Sequence, residues 1–246
     1  MIFIYKILGL ILIPIIKINI FLRIANSKES PTRYKERFGI SNYTLKSDRN
    51  IIWIHAASVG EFKSADYFIN KYHKDFEILV TTTTISAANY AQKNYGEKII
   101  HQFAPLDVSV WVKRFLKKWK PKLILWIESD MWPITLCLFK KEKINAVFIN
   151  ARLSPKSYKR WSLFPFIYNK LINCFSEVFA QSKIDQKRIN QLCNKKIEFI
   201  GNMKLKNSNH SFQKNKLINL EKKFTIMLAS THHNEEAVLI PFLSKI

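Results

Sequence analysis

The sequence predicts an α/β domain built on a parallel sheet. From Asn50 onward, short apolar runs rich in Ile, Val and Phe alternate with longer stretches whose apolar residues recur at helical spacing. Those stretches are long enough to cross between parallel strands, and such βαβ units are right-handed. Hydrophobic residues make up 48% and charged residues 24% of the 246, a balance that suits a packed core and excludes a disordered polar chain.

The candidate strands are Ile51–His55, Ile78–Thr82, Ile99–Gln102, Leu123–Ile127, Ala146–Ile149, Val178–Ala180 and Glu198–Ile200. Helical spacing runs through Glu61–Tyr72, Ser86–Asn94, Val108–Trp119, Trp132–Lys141, Ser157–Asn173 and Ile184–Leu192. The domain they define covers residues 50–205. Ligands of parallel α/β sheets bind beyond the carboxyl ends of the strands, so the residues after each strand are where chemistry is sought.

Residues 1–24 are dominated by Ile, Leu and Phe, with Lys6, Lys17, Arg23 and Pro14 interrupting. The unbroken apolar stretch Ile7–Ile16 has 10 residues, whereas a spanning helix needs about 20. Lysines that snorkel to the headgroups would extend it. No small-residue cleavage site follows, and Arg23, Lys28, Arg33, Lys35 and Arg37 make the next flank basic. A membrane-anchor or interfacial helix over 1–24, with a basic connector over 25–49 on the cytoplasmic side, is the expectation. A buried N-terminal helix is the alternative.

Beyond the domain, residues 206–223 are polar and rich in Asn and Lys, as in a linker. A strand begins at Phe224–Ala229 and a helix near Asn234, and the sequence ends at Ile246 inside that helix. One strand and part of a helix make no core of their own, so 224–246 reads as the truncated start of a second domain.

The formal charge is +22, from 40 Lys+Arg against 18 Asp+Glu. That surplus suits a polyanionic partner: nucleic acid, an anionic membrane or a phosphorylated substrate. The basic runs Lys113–Lys122 and Lys183–Lys223 lack the interleaved aromatics of a nucleic-acid platform, so no nucleic acid is expected. Three scattered cysteines without a C-x-x-C pair exclude a disulfide scaffold or a zinc module, and the histidines show no metal-ligand spacing.

Several strand ends carry reactive side chains. After the first strand comes His55-Ala56-Ala57-Ser58-Val59-Gly60-Glu61, small residues leading into a helix N-terminus. Glu61 is either a favourable first-turn carboxylate or a base. Thr81–Thr84 bring four hydroxyls that can cap the next helix or bind a sugar or phosphate. After the fourth strand, Glu128 and Asp130 stand two residues apart among aromatics. Asp130 can cap the helix entered at Trp132-Pro133, whereas Glu128 has no such role. Arg152 follows the fifth strand and suits a phosphate or carboxylate. Gln181 and Ser182 follow the sixth strand, and Gly201-Asn202-Met203-Lys204 the seventh.

In order, these turns resemble one family, the 3-deoxy-D-manno-octulosonic acid (Kdo) transferases of lipopolysaccharide synthesis. The resemblance is carried by Arg33-Tyr34-Lys35-Glu36-Arg37-Phe38-Gly39, Trp53–Glu61, Val80–Thr84, Glu128-Ser129-Asp130-Met131-Trp132-Pro133, Ile149–Ser154, Ala180-Gln181-Ser182 and Gly201–Lys204. Ala229-Ser230-Thr231-His232 with Glu235-Glu236 is similar to the opening of the family's second domain. Asn234 departs from the Gly that the family often has there.

The resemblance implies a Rossmann-like N-terminal domain of a GT-B glycosyltransferase, on the cytoplasmic face of the cell inner membrane. This half would receive a phosphorylated lipid A precursor, lipid IVA, and a C-terminal half would bind the donor CMP-Kdo. Glu61 falls on the family's proton acceptor, and Glu128 and Lys204 on its proposed transition-state stabilisers. Acceptor contacts are expected from Ser58, Gly60, Thr82, Thr83, Asp130, Arg152, Gln181 and Ser182. The transfer would be inverting, with no metal and no other cofactor. Family chains are nearly twice as long, so this chain alone is expected to be inactive. A membrane-bound module that binds the acceptor without catalysis is the alternative, and a basic nucleic-acid-binding protein is a remote one.

Overall fold

The computed structural model describes residues 2–45, 49–128 and 131–203. Its centre is a seven-stranded, wholly parallel sheet of order β3-β2-β1-β4-β5-β6-β7. The strands are β1 (Ile51–His55), β2 (Glu77–Thr82), β3 (Ile100–Phe103), β4 (Leu123–Ile127), β5 (Asn145–Ala151), β6 (Glu177–Ala180) and β7 (Glu198–Phe199). All seven expected strands are present. The linker and the start of a second domain, expected at 206–223 and 224–246, lie outside the described residues, as do Asp130 and Lys204.

Two layers of helix cover the sheet. On one face, α3 (Val59–Tyr72) and α4 (Ile85–Tyr95) pack Phe62, Ala65, Ile69 and Ala91 on Ile52, Ile54, Ile78 and Val80. On the other lie α5 (Ser109–Trp119), α6 (Pro133–Lys141), α7 (Pro155–Trp161), α8 (Pro165–Ile172) and α9 (Lys183–Asn190). There Trp53 and Trp126 meet Phe115 of α5 and Phe139 of α6, all fully buried. Strict alternation along β1 sends Trp53 to one face and Ile52 and Ile54 to the other. Each such buried side chain contributes roughly 1.5–3 kcal/mol. The buried indoles are also satisfied: Trp53 Nε1 donates to Thr81 Oγ1 at 2.8 Å and Trp119 Nε1 to Gln102 Oε1 at 2.9 Å.

The expected helix Ser157–Asn173 is two helices. The Pro165 ring cannot sit inside a helix, so α7 ends at Trp161 and α8 restarts with Pro165 at its first position. The N-terminal helix is likewise two: α1 (Ile2–Ile11) and α2 (Ile13–Ala25), bent by 63° at Leu12, just before Pro14. Among the described residues no single helix is long and apolar enough to cross a membrane; the bent pair reaches that length and composition only together.

Within the segment 25–49, expected as a basic connector, Glu29, Arg37 and Phe38 are buried. A 3-10 turn, Tyr34–Phe38, sets Arg37 and Phe38 into the core, where Phe38 packs with Ile20 of α2 and with Val108 and Trp111. Buried Arg37 holds Glu29 with Nε at 3.1 Å and a terminal nitrogen at 3.2 Å, and donates to Thr83 O at 2.7 Å. Gly39 closes the turn at φ +69°, and a Cβ there would lie 2.2 Å from Trp111 O. Only glycine combines that conformation with that approach.

Candidate active site

The strand order reverses direction between β1 and β4, and the crevice at such a switch point is where α/β sheets bind ligands. Glu61 lies in the first turn of α3, which follows β1, and Glu128 directly follows β4, so the two expected catalytic carboxylates stand after the two strands that meet at the switch point. Both are buried, at 8% and 5% exposure.

Ser58 is the N-cap of α3: its Oγ accepts from Glu61 N at 3.4 Å. The Glu61 carboxylate turns back and accepts from Ala57 N through Oε2. This reciprocal arrangement resembles a capping box, with the carboxylate reaching the residue before the cap. Glu61 therefore fills its ordinary first-turn role, and that bond fixes its carboxylate. Gly60 is exposed on the same turn.

Glu128 adopts φ +69° and the neighbouring strand end places Asn150 at φ +56°. Two left-handed non-glycine residues side by side are a local strain that the surrounding bonds must hold. Those bonds are present. Glu128 N donates to Ile149 O at 3.0 Å, and Arg152 N donates to Glu128 O at 3.2 Å. Asn150 Nδ2 donates to Glu128 Oε1 at 3.4 Å and approaches Ser64 Oγ of α3 at 3.5 Å. Asn150 Oδ1 accepts from Met203 N at 3.2 Å. Fully buried Asn150 thus ties Glu128, α3 and the Gly201–Met203 turn together. Sequence reasoning missed it; Asn, which tolerates φ above zero, directly after a strand was the available signal.

The other expected contacts divide. Thr82 is fully buried, and its hydroxyl pairs with His101 Nε2 at 2.9 Å. Thr83 is half-buried, donates through Oγ1 to Ala57 O at 2.9 Å, and edges a cavity of about 440 Å³ beside Arg37 and Trp132. Thr84 caps α4, accepting from Ala87 N. Ser182 caps α9: its Oγ accepts from Asp185 N at 3.0 Å and donates to Asp185 Oδ2. Gln181 is half-buried with its N–H on Ala151 O, and exposed Arg152 lines a cavity of about 310 Å³ with Ser154, Ser157 and Trp161.

Asp130, expected as a cap for α6, lies outside the described residues; among those described, Asp107 holds the start of α6. Its carboxylate accepts from Ile134 N at 3.1 Å, and from Thr135 N at 2.8 Å and Thr135 Oγ1 at 2.7 Å. Burial raises the Asp107 carboxyl above the usual range, and these bonds oppose that rise. No group of three or more His, Cys, Asp or Glu able to hold a metal occurs among the described residues.

A parallel sheet with two buried carboxylates flanking its switch point defines an α/β domain built to hold and act on a ligand. The family model described as 3-Deoxy-D-manno-octulosonic-acid transferase (kdotransferase) matches residues 32–207, and the chain belongs to that family. A 3-deoxy-D-manno-octulosonic acid transferase of Rickettsia bellii is 34% identical over 98% of this chain and 59% of its own length. A probable mitochondrial transferase of the same name from Arabidopsis thaliana is 36% identical over 70% of this chain and 39% of its own. The chain thus spans about three fifths of the Rickettsia relative. Among solved structures, a UDP-N-acetylglucosamine 2-epimerase aligns at 14% identity with a TM-score of 0.45, over 63% of this chain and 49% of that one.

Proposed function

We propose that this chain is the acceptor-side half of a GT-B transferase that moves Kdo from CMP-Kdo to the phosphorylated lipid A precursor lipid IVA at the cytoplasmic face of the inner membrane. The observation that carries the reading is the pair Glu61 and Glu128, buried on either side of the switch point, within the segment matched by the family model. Donor binding is assigned to sequence corresponding to the remaining two fifths of the Rickettsia bellii relative.

Glu61 takes the proton of the attacking sugar hydroxyl as that oxygen bonds to the anomeric carbon of Kdo and CMP departs, with inversion. The Ala57 N–H on Oε2 fixes the carboxylate for this step. Glu128 supports the positive character that develops on the sugar ring, held in place by Asn150. Lys204 is assigned to the departing phosphate. Ser58, Gly60, Thr83, Asp130, Arg152 and Gln181 are the acceptor contacts of this reading, and no metal or cofactor takes part.

The test mixes this chain with a separately expressed C-terminal half of the Rickettsia bellii relative, CMP-Kdo and lipid IVA. Kdo transfer by the mixture and none by either half alone is expected, with E61Q slower by about 10²–10⁴-fold. No transfer in any mixture, with lipid IVA still bound, would leave an acceptor-binding module and sink the catalytic reading.

A further inference from the structure

A further cavity lies among the helices of the outer layer. It is a groove of about 490 Å³ between α1, α5, α6 and α8. Ile2 and Phe3 of α1 and Ile134 and Leu138 of α6 give it an apolar floor. Around this floor stand five lysines from four helices: Lys6, Lys113, Lys140, Lys141 and Lys170. No Asp or Glu lines the groove, and no ion pair involves these lysines among the described residues.

The groove's lining shares no residue with Glu61, Glu128 or the described residues bonded to them. It runs the length of α6, from Ile134 in the first turn to Lys140 and Lys141 in the last. The apolar surface also continues beyond the groove. Phe3, Ile4, Ile7, Leu8 and Ile11 of α1 are exposed at 70%, 57%, 39%, 49% and 66%. A charged ring around an apolar slot, opening onto an apolar helix face, matches a molecule with an anionic head and hydrocarbon tails. Water-soluble anions use the lysines and leave the floor unpaired; a neutral lipid does the reverse.

We infer that this lysine-ringed groove binds the headgroup and upper acyl chain of an anionic bilayer phospholipid, as a docking site distinct from the acceptor crevice. The inference deepens the membrane part of the proposed function and needs no catalysis. Bound lipid would seat α1 at the membrane surface and orient the strand-end crevice relative to it.

The test is vesicle flotation of the full chain, with phosphatidylcholine alone or mixed with phosphatidylglycerol. Wild type is expected to prefer the mixed vesicles. Each lysine near an anionic surface accounts for about a fivefold change in binding, so K113Q/K140Q/K170Q should lose on the order of 100-fold. K183Q/K187Q/K195Q, which removes the same charge around α9, should retain the preference, and inorganic phosphate should not compete. Equal loss in both triple variants would reduce the effect to net charge and overturn the inference. So would wild-type binding by the groove variant, or lysine-dependent binding to polyglutamate with none to lipid, which points to an acidic protein. Equal binding of wild type to both vesicle types would also overturn it while leaving membrane association, and the proposed function, standing.

Discussion

The side-chain amide of Asn150 donates to Glu128 Oε1 at 3.4 Å, and both residues stand in left-handed conformations at the ends of adjacent strands. The carboxylate nearest the sheet is thus positioned by a neighbour whose other end, Oδ1, holds the Met203 amide. Asn150→Ala removes both bonds in a fully buried setting, and an unsatisfied buried group costs about 1–3 kcal/mol. Urea unfolding should register that loss. Asn150→Gly gives up the same bonds but relieves the backbone, so it should lie between wild type and Asn150→Ala; identical midpoints for all three would contradict the assignment.

Glu29 and Arg37 form a buried pair, at 2% and 4% exposure, and burial lowers the pKa of the Arg37 guanidinium. Removing one partner leaves an uncompensated charge, a change that typically costs about 3–5 kcal/mol. Glu29→Gln should show it in urea unfolding. A loss below about 1 kcal/mol would make the pair no stronger than an exposed one.

His101 predicts an acid-side loss of stability. Arg33 can only donate, so its 2.9 Å contact fixes His101 Nδ1 as an acceptor and leaves the ring proton on Nε2, facing Thr82. Burial first, then the charges of Arg33 and Arg37, lower its pKa to about 3. The unfolded chain takes up that proton near about pH 6.5. The contribution is therefore complete above that pH and is lost as pH falls from there toward about 3. His101→Gln keeps an acceptor and a donor without the titration, so its urea midpoint should fall less between neutral pH and the acid limb. Parallel falls in both proteins would rule His101 out.

Gly39 predicts a large effect from one methyl group. Gly39→Ala meets a left-handed backbone, at roughly 1–2 kcal/mol, and a collision with Trp111 O that adds about 1–3 kcal/mol of overpacking. Thermal unfolding and the near-ultraviolet signal of the tryptophans should both change. A variant as stable as wild type would mean that α5 shifts freely, against its fully buried Val112 and Phe115.

What was legible in the sequence follows from the range of the forces involved. Strands buried on both faces read as apolar runs, so β1 to β4 were found to within a residue at each end, whereas β5 runs two residues beyond its expected end and the exposed β7 is a two-residue strand. Capping is equally local: Thr84, from the run read as a possible cap, lies three residues before the amide it accepts from, and Ser58 and Ser182, read only as ligand contacts, cap at the same spacing. Distant pairings were not legible. Arg37 reaches Thr83 O and Asp107 reaches the start of α6, each across a stretch of chain in which many other partners were equally possible. The break before Pro165 was written in the sequence, but Leu163, Phe164 and Phe166 continue a helical apolar pattern across it. Glu61 looked like a choice between cap and catalytic base; its bond to the Ala57 amide fills the first of these roles and fixes the carboxylate without excluding the second.

Burial of Ile20 among Phe38, Val108 and Trp111 gives the greasy N-terminus a second job with a practical consequence. Trimming residues 1–25, the usual remedy for a protein that clings to detergent, would strip the lid from three core side chains. The shortened chain should be less soluble than the intact one. For this protein, the route to a tractable sample keeps α2 whole and softens only the outward side of α1.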